Sequence, residues 1–349
     1  MTAIYKDREI GTFTINTRSS DPADYWAAFA GLVKLTDSYD FDGMLCFSAN
    51  ETLVDPWLAA HYLILNSRRL IPIVATNPVY LHPFAAAKMV SSFAYMHGRK
   101  TILNLITGAS RRDREVLNDP IDHDDRYTRL GEYARIMKSL LTDPKMMDFE
   151  GRYYKLSSAV LSPTPPPALH PGFLVAGHSD AAIRTAGLVD AVHLRMLGPK
   201  LEEDLPEAAG GLGIHLGIIA REDEDAAWAA AKAHYPHDPE VEGILEYMME
   251  GSDSVWKRRL YEKTLERGDA KPEYWLEPFG QLRADCPYLV GAHERLAEIL
   301  AAHIEKGADW IILDLPDEQE EFENTAKTLR LAYELLGIEA KKGEAPATA

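Results

Sequence analysis

Short apolar runs alternate along the chain with longer segments in which apolar residues recur at helical spacing. The runs predict buried strands, and the segments between them predict amphipathic helices. Eight strands are predicted, at residues 11–15, 41–48, 70–76, 101–107, 172–176, 191–196, 212–220 and 310–315. Because helices separate these strands and crossovers between parallel strands are right-handed, the order predicts an α/β fold, a (β/α)8 TIM barrel with insertions after strands 4 and 7.

An open, doubly wound sheet is the alternative fold with the same alternation of strands and helices. For that fold we would expect a Gly-x-Gly-x-x-Gly turn after the first strand, and the sequence has no such turn there. The closed barrel is therefore the preferred prediction.

Two helix starts carry a specific signal. Asp21 and Asp55 are each followed by a proline, which is favoured at the first helical position because its missing N–H would have no partner there. The pattern predicts helices that begin at Pro22 and Pro56, with the aspartates as N-caps.

The two insertions differ in character. The first contains an acidic loop at 122–127, a helix at about 126–141 and a hairpin at 147–156 that turns at Glu150-Gly151. The second contains two or three helices within 222–267 and a long, irregular stretch at 268–288. Its Gly, Pro and aromatic residues are typical of a mobile loop, so we expect this stretch to close over a site, with Arg283 reaching inward.

An α/β barrel of this length commonly forms one domain, so a single domain is predicted over residues 1–338, followed by a charged tail at 339–349 that we expect to be disordered. The formal net charge of -17 disfavours nucleic acid and favours a small-molecule substrate. With only Cys46 and Cys286, no disulfide framework and no metal site are expected, which suits a reducing cytoplasm. Neither a signal peptide nor a membrane span is predicted.

Functional groups of a barrel lie at the carboxyl ends of its strands. The predicted strand ends carry ten candidates: Asn16, Ser48, Asn77, Asn104, Thr107, Gly177, Ser179, Arg195, His215 and Asp314. The apolar run 101–108 stops at Asn104, Thr107 and Gly108, which brings polar groups and a permissive backbone to the end of strand 4. A ligand site is predicted there, close to the acidic loop that ends at Tyr127.

Two further strand ends indicate chemistry. Ala176-Gly-His-Ser179 is a glycine turn that opens a helix, and the free N–H groups of a helix N-terminus can cradle the phosphate of a cofactor. The simpler interpretation is that Ser179 is an ordinary N-cap. On strand 7, alternation places His215 and Gly217 on one face, where His215 could move a proton or could be a structural histidine.

Five motifs, in order, give the sequence its resemblance to a known family. They are Asp55-Pro-Trp-Leu58, Asn104-Leu-Ile-Thr-Gly108, Asp122-His-Asp-Asp-Arg-Tyr127, Asp148-Phe-Glu-Gly-Arg-Tyr-Tyr154 and Ala176-Gly-His-Ser179. The chain resembles the bacterial luciferase-like flavin-dependent monooxygenases, and within them the alkanesulfonate monooxygenase branch. The resemblance implies a barrel that binds reduced FMN supplied by a separate flavin reductase, and that uses O2 to oxygenate an organic substrate.

The resemblance also implies roles for individual residues. Asn104 and Thr107 would face the polar edge of the flavin ring, while Tyr127, Gly177 and Ser179 would hold its phosphate. The neighbouring cofactor candidates are Gly108, Ala176, His178 and Arg283, and the catalytic candidates are His215, Asn77 and Arg195. Family members are commonly dimers, so a homodimer or higher homo-oligomer is expected, with no nucleic-acid or membrane partner.

The chain departs from the alkanesulfonate enzymes at the substrate side. Where those enzymes have an Arg and a His two residues apart on strand 7, it has His215 and Gly217, and their cysteine and tyrosine are replaced by Leu53 and Leu315. We therefore expect a small organic or secondary-metabolite substrate that is not a plain alkanesulfonate. A replacement anion clamp could come from Arg195, Arg111 or Arg112.

Two alternative functions are compatible with the same sequence. One is a deazaflavin-dependent dehydrogenase of the same superfamily, which would transfer hydride without O2. The other is a non-catalytic flavin-binding homologue, which the changes at strand 7 and Leu53 would permit.

Overall fold

A computed structural model describes residues 3–47, 52–108, 110–198, 210–265 and 273–338. Its strands, in chain order, are β1 (Ala3–Tyr5), β2 (Arg8–Ile15), β3 (Gly43–Cys46), β4 (Ile71–Thr76), β5 (Ile102–Leu105), β6 (Met147–Glu150), β7 (Lys155–Ala159), β8 (Gly172–Ala176), β9 (Val192–Met196), β10 (Leu212–Arg221), β11 (Tyr274–Trp275), β12 (Tyr288–Ala292) and β13 (Ala308–Asp314). Ser48, the predicted tail at 339–349 and the first part of the predicted loop, 268–272, lie outside the described residues.

Eight of these strands are parallel and close into a barrel. Their order around it is β2, β3, β4, β5, β8, β9, β10 and β13, and β13 completes the ring by pairing with both β10 and β2. The prediction of a (β/α)8 TIM barrel is confirmed. β10 continues past the ring, where Gly217–Arg221 pairs with β12, and β11 adds to β12 in antiparallel fashion.

Helices follow the strands in the expected alternation. They are α1 (Tyr25–Ser38), α2 (Pro56–Leu65), α3 (Pro83–His97), α4 (Arg111–Val116), α5 (His123–Thr142), α6 (Asp180–Leu188), α7 (Glu224–His234), α8 (Glu242–Glu250), α9 (Val255–Leu265), α10 (Glu277–Gly280), α11 (His293–Glu305) and α12 (Gln319–Leu335), with a short 3-10 turn at Pro167–Leu169. Between β5 and β8 lie α4, α5 and the β6–β7 hairpin, which turns after Glu150 as predicted.

One of the two predicted helix starts is confirmed and the other is wrong. The carboxylate of Asp55 accepts hydrogen bonds from the backbone N–H groups of Trp57 and Leu58 at the start of α2. By contrast, α1 begins at Tyr25 rather than at Pro22. The Asp21 carboxylate still accepts from Ala23 N, and the Asp21 carbonyl oxygen accepts from Tyr25 N, so residues 22–24 form a turn that leads into the helix.

The core has two layers that alternate along each strand. Inside the barrel lies a cluster that draws on every strand of the ring except β10, and it comprises Phe13, Ile15, Leu45, Ile73, Ile102, Leu174, Val192, Leu194 and Ile312. The opposite faces of the strands pack against the helices. Asn104 lies two residues beyond Ile102 and His215 pairs in register with Ile312, so both side chains share the inward face toward the carboxyl end of the barrel.

In the part of the chain that is described, no helix combines the length and the apolar character needed to span a bilayer.

Candidate active site at the carboxyl end of the barrel

Asn104 brings a polar group into the barrel where strand β5 ends. Its side chain is buried, and its amide oxygen Oδ1 has no hydrogen-bond partner among the described residues. A buried acceptor that stays unpaired costs about 1–3 kcal/mol, so such a group marks a place where a ligand donor fits. The N–H edge of a flavin ring is a donor of that kind.

Asn77 and Gly108 meet beside it. The Oδ1 atom of Asn77 accepts from Val79 N at 3.1 Å, which fixes the orientation of the amide. Gly108 has a left-handed φ of 73°, and a Cβ added to it would stand 3.1 Å from Asn77 Nδ2. The ends of β4 and β5 are therefore in contact through these two residues, as their common place at the barrel mouth predicts.

Tyr127, on α5, joins the two predicted halves of the cofactor site. Its hydroxyl donates to the carbonyl oxygen of Ala176 at 3.4 Å. Burial raises the pKa of this phenol, against the opposing effect of hydrogen bonds with the side chains of Thr107 and Ser179. Thr107, after β5, and Ser179, after β8, therefore converge on one neutral hydroxyl.

The turn at Gly177 is shaped for close approach to the backbone. Its φ is 140°, and a Cβ there would lie 2.8 Å from Tyr127 Oη and 2.9 Å from Ala182 Cβ. Ser179 is the N-cap of α6, and its Oγ accepts from Ala182 N at 3.2 Å. Ser179 is thus an ordinary cap, and the remaining N–H groups of the first turn still point, with the positive end of the helix dipole, toward the loop.

His178 points away from this cradle and toward strand β9. Its Nε2 accepts from Met196 N at 3.1 Å, and its ring meets Trp256 edge-on with 5.3 Å between centroids. Burial, followed by the positive charge of Arg195, lowers the pKa of His178 to about 3, so the ring is neutral. His178 therefore supports the turn from behind.

Arg195 and His193 share one face of β9, opposite Val192 and Leu194 of the barrel interior. Arg195 Nη2 lies 3.4 Å from His178 Nδ1, and His193 Nε2 donates to the Gly177 carbonyl oxygen at 2.6 Å. Arg195 thus contacts the histidine behind the turn, and a role for it as a substrate clamp stays a prediction. The sequence reasoning missed His193, although its spacing of two residues from Arg195 was a signal.

His215 lies at the mouth between β10 and β13. Its Nδ1 donates to the Ile312 carbonyl oxygen at 3.1 Å, and its ring lies 6.2 Å from that of Trp256. Burial lowers the pKa of His215, with partial compensation from the Asp314 carboxylate. The imidazole is therefore neutral, with its proton on Nδ1 and an available lone pair on Nε2.

A charged network that sequence reasoning missed lies next to His215. Arg18 donates from Nε and Nη2 to Asp314 Oδ2, at 3.2 and 2.9 Å, and from Nη1 to Asp285 Oδ2 at 2.8 Å. Lys257 Nζ pairs with the other oxygen of Asp285 at 2.7 Å. The partners of Arg18 lie more than 260 residues further along the chain, and no local pattern could have connected them.

His215, Cys286 and Asp314 bring three potential metal-binding atoms within 4.8 Å of one another. The chemistry does not suit a metal, because Arg18 already neutralises Asp314. Burial also raises the pKa of the Cys286 thiol well above its usual value, and metals bind the thiolate. These three residues are better described as part of the network of charged side chains around Arg18 at the barrel mouth.

The described part of the predicted closing loop, residues 273–288, is mostly packed rather than irregular. It contains β11 and α10, and Phe279, Gln281 and Cys286 are buried in it. Arg283 is exposed on its surface. A closing motion and a phosphate contact by Arg283 stay predictions.

Comparison with known proteins agrees with this geometry. The family described as "Luciferase-like monooxygenase" matches residues 9–309. A relative with 29% identity over 299 residues, 83% of this chain and 87% of its own length, is the 4-(gamma-L-glutamylamino)butanoyl-[BtrI acyl-carrier protein] monooxygenase BtrO of Niallia circulans.

Solved structures share the fold at low sequence identity. The EDTA monooxygenase EmoA from Chelativorans sp. BNC1 superposes with a TM-score of 0.68 at 14% identity, over 95% of this chain and 94% of that one. The oxygenating constituent of 3,6-diketocamphane monooxygenase from Pseudomonas putida, solved with FMN, gives 0.65 at 16% identity, over 92% and 96%. The chain belongs to the luciferase-like monooxygenase family and is a flavin-dependent monooxygenase.

Proposed function

We propose that this protein is the oxygenase of a two-component system, which takes reduced FMN from a separate flavin reductase and uses O2 to oxygenate a small organic substrate. When bound, reduced FMN supplies the electrons that activate O2. The observation that carries the proposal is the convergence of Thr107, Gly177 and Ser179 on the Tyr127 hydroxyl, beside the unpaired amide oxygen of Asn104.

The two ends of this arrangement suit the two ends of FMN. The open first turn of α6 offers N–H donors to a phosphate, and the Tyr127 hydroxyl, whose bond to Ala176 O is long at 3.4 Å, can turn to the phosphate instead. The missing Cβ of Gly177 makes room for that hydroxyl beside the turn. Asn104, with Thr107 nearby on the strand end, offers acceptors to the N–H groups of a flavin ring. These are the roles that the five motifs imply.

On the substrate side, the chain's own residues favour a proton acceptor over a sulfonate clamp. His215 is neutral, and its Nδ1 proton is engaged by Ile312, so Nε2 can accept a proton from the substrate. The leucines that replace the cysteine and tyrosine of alkanesulfonate enzymes offer no polar group; Leu53 is 42% exposed and Leu315 is buried. We therefore propose a substrate other than a plain alkanesulfonate.

A flavin series tests the cofactor. The apo-protein is titrated anaerobically with reduced FMN, with reduced riboflavin, which lacks the phosphate, and with reduced deazaflavin F420. We expect FMN to bind roughly 10–100-fold more tightly than riboflavin, because charge-assisted hydrogen bonds to phosphate contribute about 1.5–3 kcal/mol. Equal affinities for FMN and riboflavin would remove the phosphate assignment.

Oxygen consumption then separates the functional classes. With a flavin reductase and NADH present, a monooxygenase couples O2 uptake to product formation, which mass spectrometry detects as the gain of one oxygen atom. Preferential binding of F420, together with hydride transfer in the absence of O2, would show that the protein is a deazaflavin-dependent dehydrogenase and would overturn the proposal.

A further inference from the structure

A basic surface borders the barrel mouth of this acidic protein. It comprises Arg111, Arg112 and Arg114 on α4 and Lys257, Arg258, Arg259 and Lys263 on α9, and it is called here the basic rim. These two helices carry seven cationic residues against three anionic ones, in a chain whose formal net charge is -17. Because the rest of the protein is negatively charged and repels acidic partners, we expect such a partner to bind at the basic rim.

The two helices of the basic rim form one surface. Arg111 N donates to Gly251 O at 3.1 Å, and a β-bridge joins Ser110 to Ser252 just before α9. Arg114 pairs with Asp253 at 2.9 Å. Arg111, Arg112, Arg258 and Arg259 are exposed on this surface.

Helix α8 adds an apolar face next to the rim. Ile244, Tyr247 and Met248 follow one another at helical spacing and are 51, 76 and 44% exposed. The acidic residues Glu246 and Glu250 fall on another side of the same helix. Exposed apolar and aromatic groups bordered by charged residues are common at protein-docking sites.

The surface connects directly to the site chemistry. Trp256 of α9 contacts the rings of both His178 and His215, while Arg258 and Arg259, two and three residues further on, belong to the rim. The positive charges of Arg259 and Lys263 also act on His178. A partner seated on the rim therefore stands at the entrance to the barrel.

We infer that the basic rim and the apolar face of α8 dock a small acidic carrier protein, which presents the substrate as an acyl thioester on a flexible arm. This inference rests on the proposed function and names its substrate class. A tethered substrate needs a docking surface that borders the mouth, as here, whereas a freely diffusing substrate needs none. The similar protein BtrO is named for an acyl group held on a carrier protein.

Binding without turnover tests the inference. The BtrI acyl-carrier protein in its apo form serves as the probe, and biolayer interferometry on the FMN-loaded enzyme measures its dissociation constant at about 50 and 300 mM salt. We expect binding that weakens as salt rises. The variants Arg112→Glu, Arg258→Glu and Tyr247→Asp should each weaken it by about fivefold or more.

Matched controls are exposed cations far from the rim. Lys100→Glu, before β5, and Arg330→Glu, on α12, make the same charge change and should alter carrier binding by less than about twofold. If the rim and control variants lose the same affinity for the carrier protein, the effect comes from the net charge alone, and the proposed docking surface is overturned. Absence of binding by the unaltered enzyme would overturn it as well.

The two proposals fail in different ways. FMN titration of Arg258→Glu and Tyr247→Asp should match that of the unaltered protein, because neither residue belongs to the cofactor site. Loss of FMN binding with carrier binding intact would remove the proposed function, whereas intact FMN binding without a carrier response would remove only the docking surface. A flavin reductase that needs these residues, in the absence of carrier binding, would reassign the surface to the reductase.

Discussion

The imidazole of His193 donates a 2.6 Å hydrogen bond to the carbonyl oxygen of Gly177. Strand β9 thereby fixes the turn that follows β8, and burial lowers the pKa of His193 so that its ring stays neutral at pH 7. A rigid turn matters because a cradle that is already ordered loses less entropy when a ligand binds.

Gly177→Ala should weaken FMN binding by about tenfold or more. The added Cβ meets Tyr127 Oη at 2.8 Å and Ala182 Cβ at 2.9 Å, and the φ of 140° is strained for any L side chain. Calorimetric titration with FMN checks this. Gly187→Ala, later in α6, is the matched control, because its Cβ meets nothing within 4 Å; it should leave FMN binding unchanged and stabilise the helix by up to about 1 kcal/mol. Similar affinities in the two variants would argue against a ligand at the turn.

Tyr127→Phe should cost about 1–3 kcal/mol of FMN binding, because a donor to the phosphate is lost. The measurement is the same titration, repeated with riboflavin, which should lose much less. Tyr95→Phe removes a hydroxyl from a residue that is 79% exposed and should change neither affinity. Equal losses of affinity for FMN and for riboflavin would mean that Tyr127 contacts the flavin ring or supports the fold and does not bind the phosphate.

Arg18→Ala should lower the free energy of unfolding by about 3 kcal/mol, because it leaves the buried carboxylate of Asp314 without its ion pair. Denaturant unfolding measures the change. The matched control is Arg68→Ala, which breaks an ion pair with Asp37. The Arg68 side chain is 64% exposed, and exposed ion pairs contribute about 0–1 kcal/mol to the free energy of unfolding. If the two variants lose the same stability, the Arg18 network does not support the mouth.

His178 predicts a loss of stability in acid. Its pKa falls from 6.5 to about 3 on folding, mainly through burial. Between pH 6.5 and about pH 3, His178 is therefore protonated in the unfolded chain and neutral in the folded chain. Stability from this group is therefore present above pH 6.5 and is lost as the pH falls toward 3. His178→Asn should flatten the decline in melting temperature over that range; an unchanged slope would contradict the prediction.

His234 should have the opposite effect on the pH dependence of stability in the same experiment. Its hydrogen bond with Glu321 raises its pKa above 6.5, so its contribution is present below pH 6.5 and is lost as the pH rises through the raised pKa. His234→Asn should therefore remove part of the decline in stability on the alkaline side and leave the acid slope in place. A change confined to the acid side would show that the two histidines have been assigned the wrong directions.

The barrel could be predicted because its signals are local and periodic. Each buried strand needs an apolar run, and each parallel crossover needs a helix, so the order of elements fixed the topology. The positions of the candidate site followed from the rule that strand ends face the mouth, which places Asn104, Thr107 and Gly177 at one end of the barrel, whereas their cofactor roles were implied by the resemblance to the family.

The remaining features depend on contacts between residues far apart in sequence. The Arg18 network draws on Lys257, Asp285 and Asp314, and β12 joins the end of β10 outside the barrel. At Asp21 the expected carboxylate hydrogen bond forms, but residues 22–24 are a turn and the helix begins only at Tyr25. Sequence alone cannot place such a boundary, because tertiary packing contributes to the energies that set it.

A Cβ at Gly217 would lie 2.2 Å from the ring of Tyr288, whose hydroxyl is 2.6 Å from that of Tyr235. A side chain larger than glycine at position 217 therefore requires the tyrosine to move or to be replaced, so residues 217 and 288 can change only as a coupled pair, with non-additive effects on stability.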